Sequence, residues 1–155
     1  MSDRIRPART TMANHKVPGP AMWLGLAGLI PFVGLAVAVS VDAGPLPRQA
    51  LVGYGAVILS FMGGCRWGFA AAGLGDGPSY RLLAISVVPA LYGWAAALLE
   101  FQLATLALGV GFVALYAADW SLERQHGAPA WWTRLRLPLS TGAALSLALA
   151  GAVAA

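Results

Sequence analysis

The sequence predicts an all-α integral membrane protein, a bundle of five transmembrane helices. Of its 155 residues, 59% are hydrophobic and only 10% are charged, and the mean hydropathy is +0.71. Soluble domains carry about 25% charged residues. The apolar residues also fall into five runs, separated by loops rich in Gly, Pro or charge. Because no stretch outside these runs is long enough to bury a core of its own, we expect no soluble catalytic domain.

Residues 1–20 predict a mobile, basic N-terminal tail ahead of a membrane domain that covers residues 21–155. The tail is rich in arginine, and its prolines oppose a continuous helix. An arginine-rich, acid-poor start is also typical of organelle presequences, but Asp3 and the prolines disfavour that interpretation. Span one, about residues 21–41, is longer than the apolar region of a signal peptide. We therefore expect it to stay in the membrane, kinked at Pro31.

Loop signals separate the other four spans. A single helix over residues 82–118 would be more than about 50 Å long, nearly twice the hydrocarbon thickness, so the polar pair Glu100 and Gln102 predicts a tight reversal. Pro89 predicts a kink in the span before that reversal. The predicted spans two to five cover about residues 49–73, 82–99, 103–118 and 137–155.

The distribution of basic residues predicts the orientation. Of the 10 Lys and Arg residues, Arg66 lies inside span two and Arg48 lies in the first connector. The other eight fall on one side of a five-span topology. By the positive-inside rule, we expect the N-terminus in the cytoplasm and the C-terminus outside. Topology also accounts for the net charge of +4, so the charge does not call for a nucleic-acid partner.

Arg66 is a charge at membrane depth, where insertion costs about 2.5–3.5 kcal/mol. With the predicted orientation it lies about 10 Å from the cytoplasmic end of span two, and Asp119 lies at the same end of the bundle. We predict an ion pair between Arg66 and Asp119, in a polar cluster with Tyr116 and Ser86. The alternatives are that Arg66 reaches a lipid phosphate, or that it forms an anion, lipid or substrate site.

Small residues recur at every fourth position of span two. Positions four apart share one side of a helix, so these residues form a ridge on which another helix backbone can approach closely. We predict a packing seam inside the bundle, with a contact between two copies of the chain as the alternative. The seam residues are Ala56, Ser60, Gly64, Gly68 and Ala72.

Tryptophan and arginine cluster around the loop between spans four and five. Indoles favour the headgroup region and arginines pair with phosphates, so this segment predicts a helix end and a surface-lying stretch at the membrane interface. The predicted interface anchors are Trp120, Trp131, Trp132, Arg134 and Arg136.

The residues that catalysis or metal binding requires are missing from the sequence. His15 and His126 lie in separate predicted loops without ligands at metal-binding spacing, and Cys65 is the single cysteine. There is no nucleophile elbow, glycine-rich phosphate loop or pair of intramembrane carboxylates. We therefore expect no enzyme activity, no metal and no cofactor.

Four segments resemble a known membrane family in both content and order. They are YGAVILSFMGGCRWG at residues 54–68, VVPALYGW at 87–94, YAADW at 116–120 and WWTRLRLPL at 131–139. This pattern is similar to the domain of unknown function 3429 family, whose members are transmembrane protein 69-like. The resemblance implies a bundle of about five helices in a bacterial or mitochondrial membrane, and it implies no activity.

Three classes of function remain open. The first is a non-enzymatic accessory or assembly subunit of a larger membrane complex, in the bacterial cytoplasmic membrane or alternatively the mitochondrial inner membrane. The second is a small-solute or anion transporter or channel that uses Arg66. The third is a lipid-linked or quinone-linked membrane enzyme. For the first class we expect membrane lipid, other membrane-protein subunits or a second copy of the chain as partners.

Overall fold

The computed structural model describes residues 16–154, and every regular element in that range is an α-helix. The helices are α1 (Gly19–Ala27), α2 (Leu29–Ser40), α3 (Pro45–Ala71), α4 (Tyr80–Ala97), α5 (Phe101–Arg124) and α6 (Trp132–Val153). Helices α1 and α2 form one interrupted span, so five units are long and apolar enough to cross a membrane. The predicted five-helix all-α membrane fold is confirmed. The side on which each terminus lies stays a prediction, and the predicted mobile tail falls mostly outside the described residues.

The helices extend beyond the predicted spans at the end of the bundle that carries the loop between α5 and α6. Helix α5 continues to Arg124, and α6 begins at Trp132 rather than near Leu137. Hydropathy locates the part of a helix that lies in hydrocarbon, whereas the helix itself continues into the polar interface. The predicted surface-lying segment is therefore largely the first turns of α6.

The first span is interrupted at Gly28, three residues before Pro31. Proline lacks an N–H group, and its ring collides with the carbonyl four residues earlier, so the distortion falls on the preceding turn. The Gly28 carbonyl at this break accepts a 2.9 Å hydrogen bond from the Tyr54 hydroxyl of α3. This bond ties the break in span one to α3.

The core lies where α2, α3, α5 and α6 meet. Phe32 of α2 contacts Tyr54 and Phe112 edge-on, with ring centroids 5.0 Å and 5.7 Å apart, and Leu108 and Leu147 are fully buried beside them. Many large apolar side chains point outward, as expected for a protein surrounded by lipid. Lipid is as apolar as the core, so the helices must be held together by close packing and polar contacts.

Helices α3 and α4 approach each other closely at two glycines. A Cβ atom added at Gly63 would lie 2.7 Å from the Ser86 carbonyl oxygen and 3.1 Å from two ring atoms of Pro89. One added at Gly93 would lie 3.1 Å from the Ala56 carbonyl oxygen. These glycines let the two backbones approach closely, so α4, which contains Pro89, lies directly on α3.

The predicted seam lies mostly on another face of α3. Ala56 takes part in the α4 contact and Ser60 is half-buried, but Ala72 is exposed. A Cβ added at Gly64 or Gly68 meets no atom of another described helix within 4 Å. The four-residue period does not tell which side of the helix faces a neighbour, because neighbouring positions differ by about 100° around the helix. Within one chain, Gly64 and Gly68 form no packing contact, and their role between two copies stays a prediction.

Candidate functional site: two arginines around a buried aspartate

Asp119 of α5 is 0% exposed and accepts hydrogen bonds from arginines on two other helices. Arg66 of α3 donates from Nη1 to Oδ1 over 2.9 Å, and Arg136 of α6 donates from Nε to Oδ2 over 3.0 Å. One carboxylate therefore ties three of the five spans together. We refer to Arg66, Asp119 and Arg136 as the arginine–aspartate cluster.

The helix directions bring the cluster to one end of the bundle. Helices α3 and α5 end there, while α6 begins there after a short loop. Arg66 and Asp119 each lie five residues before the last residue of their helix, which is about 8 Å at the helical rise. Arg136 lies four residues after the first residue of α6. All three charges thus lie at similar distances, about 6–8 Å along the axis, inside the ends of their helices.

The cluster carries more positive than negative charge. Two guanidinium groups share one carboxylate, so its formal charge is +1. The Arg136 side chain is 1% exposed and the Arg66 side chain 11% exposed. Charged hydrogen bonds offset the cost of removing these ions from water, and removal of Asp119 would leave Arg136 buried without a counter-ion.

The structure brings the predicted partners Arg66 and Asp119 together and leaves the other two predicted residues outside the ion network. Ser86 is buried, but its hydroxyl donates to the Leu83 carbonyl of its own helix over 2.6 Å. Tyr116 is half-buried one turn before Asp119. A buried serine in an apolar helix often bonds to its own backbone in this way, so similar depth alone does not make it a member of the cluster.

Arg136 was predicted as an interface anchor, but the structure buries it against Asp119. The physical reason is the early start of α6, which places Trp132, Arg136 and Ser140 on one inward face at four-residue spacing. Trp132 is likewise buried, with its ring centroid 4.8 Å from that of Phe69. The sequence did contain a signal, because polar Thr133, Arg136 and Ser140 recur at helical spacing ahead of the last apolar run.

The other predicted anchors lie nearer the surface. Trp120 is 53% exposed and lies under the Arg124 guanidinium, with 4.9 Å between Cζ and the ring centroid. Trp131 is half-buried, and Arg134 is exposed. These positions are compatible with an interfacial belt around this end of the bundle.

Arg66 also lies in the walls of two connected cavities between α4 and α5. The first, the apolar slot, has a volume of about 260 Å³ and is lined mainly by aliphatic side chains of the two helices. The second, the polar mouth, also has about 260 Å³ and includes Ser79, Arg81 and Gln125. The slot and the mouth share Arg66, Ile85 and Ala118, so they lie side by side.

The chemistry available at the site is charge recognition. Among residues 16–154, no group of three His, Cys, Asp or Glu side chains is placed to hold a metal ion. The cluster offers guanidinium donors and one engaged carboxylate, next to an apolar cavity. This arrangement can bind an anionic group, and it offers no paired nucleophile and base.

Comparisons with known proteins place the chain in a family. A family model described as "Protein of unknown function (DUF3429)" matches residues 17–152. The chain belongs to this family. It is 40% identical over 138 residues to Transmembrane protein 69 of Xenopus tropicalis, across 87% of this chain and 54% of that protein. The identity to Transmembrane protein 69 of Mus musculus is 36% over 127 residues, across 77% and 50%.

This DUF3429 chain thus spans about half the length of the curated relatives it matches. The family resemblance that the sequence motifs indicated is confirmed, and the chain is a transmembrane protein of a family without an assigned activity. No solved structure matches the chain.

Proposed function

We propose that this DUF3429 protein is a non-enzymatic accessory or assembly subunit that packs beside larger membrane proteins. The observation that supports this best is a groove of about 780 Å³ on the lipid-facing side of α5 and α6. We call it the α5–α6 groove. Its floor consists of small residues, chiefly Gly109, Ala144, Ala148 and Gly151.

The α5–α6 groove has the shape and chemistry for a transmembrane helix. From Gln102 to Ala114 it follows α5 for about 18 Å, which is more than three helical turns. In lipid, association depends on close van der Waals packing, because apolar side chains gain little by leaving lipid. A concave floor of small residues, with Leu106 and Leu145 exposed at its edges, provides that packing for a partner helix. A helix of a larger membrane protein is therefore the proposed occupant.

The arginine–aspartate cluster fits the same proposal. Both oxygens of its carboxylate accept from arginines, and the described spans are long and mainly apolar. Such a bundle supplies a docking surface rather than a reaction centre.

We propose the bacterial cytoplasmic membrane as the location of the protein, with the mitochondrial inner membrane as the alternative. Membrane fractionation of the source cells distinguishes the two.

The test is co-purification in mild detergent with a variant that fills the groove. Ala148→Trp places an indole in the groove, whereas Leu149→Trp alters the next residue of α6, which is 63% exposed and does not line it. We expect the wild type and Leu149→Trp to retain a stoichiometric membrane partner. With Ala148→Trp, the amount of recovered partner should be at least tenfold lower. Thermal melts of the two variants should agree, which shows that both fold.

Two outcomes would contradict the proposal. Equal partner recovery from both variants would mean that the groove is not the docking surface. Migration of the wild type as a free small oligomer, combined with a solute flux in liposomes that Arg66→Leu abolishes, would favour the transporter alternative.

A further inference from the structure

We infer that the apolar slot and polar mouth between α4 and α5 bind one anionic phospholipid, with its phosphate at Arg66 and Arg81 and an acyl chain along the slot. The inference goes beyond the proposed docking function and concerns a different cavity, although Val110 and Ala114 of α5 line both that cavity and the α5–α6 groove. It starts from the amphipathic form of the combined cavity, which is apolar at one end and charged at the other.

The slot is shaped for a hydrocarbon chain. Ile85 and Val88 of α4 face Val110 and Ala114 of α5, and all four are exposed to the lipid side of the bundle. From Val110 to Ala118 the slot follows α5 for about 12 Å. An acyl chain can therefore enter sideways from the bilayer without crossing a polar barrier.

The deep end of the slot carries no polar atom that requires a partner from a ligand. The Tyr92 hydroxyl there donates to the Ala107 carbonyl over 2.8 Å, which ties α4 to α5. Gly111 makes room for this ring, because an added Cβ would lie 2.7 Å from Tyr92 Cε1. The remaining wall is apolar, which suits the end of an acyl chain better than a soluble anion.

The charge at the mouth matches one phosphate diester. The mouth contains Arg66, Arg81 and Asp76, and Arg66 belongs to the cluster with Asp119 and Arg136. Three arginines and two aspartates carry a formal charge of +1, and a phosphodiester group carries −1. Ser79 and Gln125 add uncharged hydrogen-bonding groups around the same space. A phospholipid thus places its charge at the mouth and its chain in the slot at the same time.

The depth of the site also agrees with a lipid. The mouth lies at the end of the bundle where α3 and α5 end and α4 begins, beside Trp120 and Arg124 in the interfacial belt. Lipid phosphates occupy this level of a bilayer whichever face of the membrane it is.

The experiment measures lipid binding to the purified full chain by native mass spectrometry, with thermal melts in the same detergent. The probes are phosphatidylglycerol and phosphatidylcholine with identical acyl chains, and inorganic phosphate alone. We expect phosphatidylglycerol to bind at least tenfold more tightly than phosphatidylcholine and to raise the melting temperature. Inorganic phosphate should not raise it at the same concentration.

Two matched pairs of variants test the two ends of the site. Arg81→Gln should weaken phosphatidylglycerol binding about fivefold, while Arg124→Gln, at the same end but outside the mouth, should leave it nearly unchanged. Val88→Trp fills the slot and should weaken binding of both lipids, whereas Val87→Trp alters an exposed neighbour that does not line it. All four side chains changed are exposed, so the variants should fold.

The inference is overturned if the two lipids bind equally or if Arg81→Gln and Arg124→Gln behave alike. Equal behaviour of Val88→Trp and Val87→Trp would remove the slot from the site. A melting shift with inorganic phosphate equal to that with phosphatidylglycerol would indicate a free-anion site instead. None of these outcomes depends on the recovery of a membrane-protein partner. Failure of the lipid-binding test would therefore leave the docking proposal standing, and the reverse also holds.

Discussion

The adjacent glycines Gly63 and Gly64 offer a direct test of the packing between α3 and α4. The same change, Gly→Ala, adds one methyl group to the same helix at both positions. At Gly63 the methyl carbon would lie 2.7 Å from a backbone oxygen of Ser86 and 3.1 Å from the Pro89 ring, whereas at Gly64 it meets no other described helix within 4 Å. Neither a backbone carbonyl nor a proline ring can rotate away, so α4 must shift as a whole.

The expected magnitude follows from that distance. Ordinary carbon contacts begin near 3.4 Å, so relief of the 2.7 Å contact requires a shift of about 0.7 Å. Overpacking of this kind costs about 1–3 kcal/mol in free energy of unfolding. The difference in helix propensity, about 1 kcal/mol in favour of Ala, applies to both variants and cancels in the comparison. We therefore expect Gly63→Ala to be less stable than Gly64→Ala by about 1–3 kcal/mol.

The measurement is reversible unfolding in mixed detergent micelles, monitored by helical circular dichroism, with size-exclusion chromatography of each folded sample. Equal stabilities would contradict the α3–α4 approach described above. If Gly64→Ala were instead the less stable variant and also changed the oligomeric state, the stripe through Gly64 and Gly68 would be an interface between copies of the chain.

Three further predictions concern the polar contacts and the topology. Asp119→Asn should destabilise the bundle by about 3–5 kcal/mol because it leaves Arg136 buried without a counter-ion, whereas Arg66→Leu should cost less because Asp119 keeps its bond to Arg136. A double-mutant cycle should show a combined loss below the sum of the two, because both changes remove the Arg66–Asp119 ion pair, and strictly additive losses would mean that this pair contributes nothing. Tyr54→Phe should cost about 0.5–1.5 kcal/mol through the lost hydrogen bond at the break in span one, whereas Tyr80→Phe, at a side chain 90% exposed, should cost almost nothing in the same melts. A reporter inserted in the loop between α5 and α6 should be active in the cytoplasm and one fused after the last residue active outside, and the opposite pattern would invert the orientation.

The five spans were predictable because a bilayer imposes a strict condition on sequence. A helix that crosses hydrocarbon needs about 20 apolar residues, and loops that leave it need polar or helix-breaking residues. The inward faces were much harder to predict, since lipid-facing and core-facing positions are both apolar. The periodic small residues of α3 illustrate this: their spacing indicated helix packing, yet Gly63 packs and Gly64 does not.

Two of the three residues of the arginine–aspartate cluster were predictable for a similar reason. Arg66 lies inside a span and so requires a partner, and Asp119 was the acid at matching depth. Arg136 was not predicted as a partner of Asp119, because it follows two tryptophans and another arginine, a composition typical of a membrane interface. Only the start of α6 at Trp132, which hydropathy did not give, turns that side chain toward Asp119.

The two arginines of the cluster differ in position although they share one carboxylate. Arg136 is fully enclosed, so its charge lies inside the bundle against Asp119. Arg66 also binds Asp119, but it lines the slot and the mouth as well. Asp119 cannot neutralise both guanidinium groups, and the residual positive charge is accessible only on the side of Arg66. For the phospholipid site proposed above, a bound phosphate would compensate that charge. A ligand that binds only the folded bundle stabilises it, so lipid occupancy and folding stability should be thermodynamically linked through Arg66.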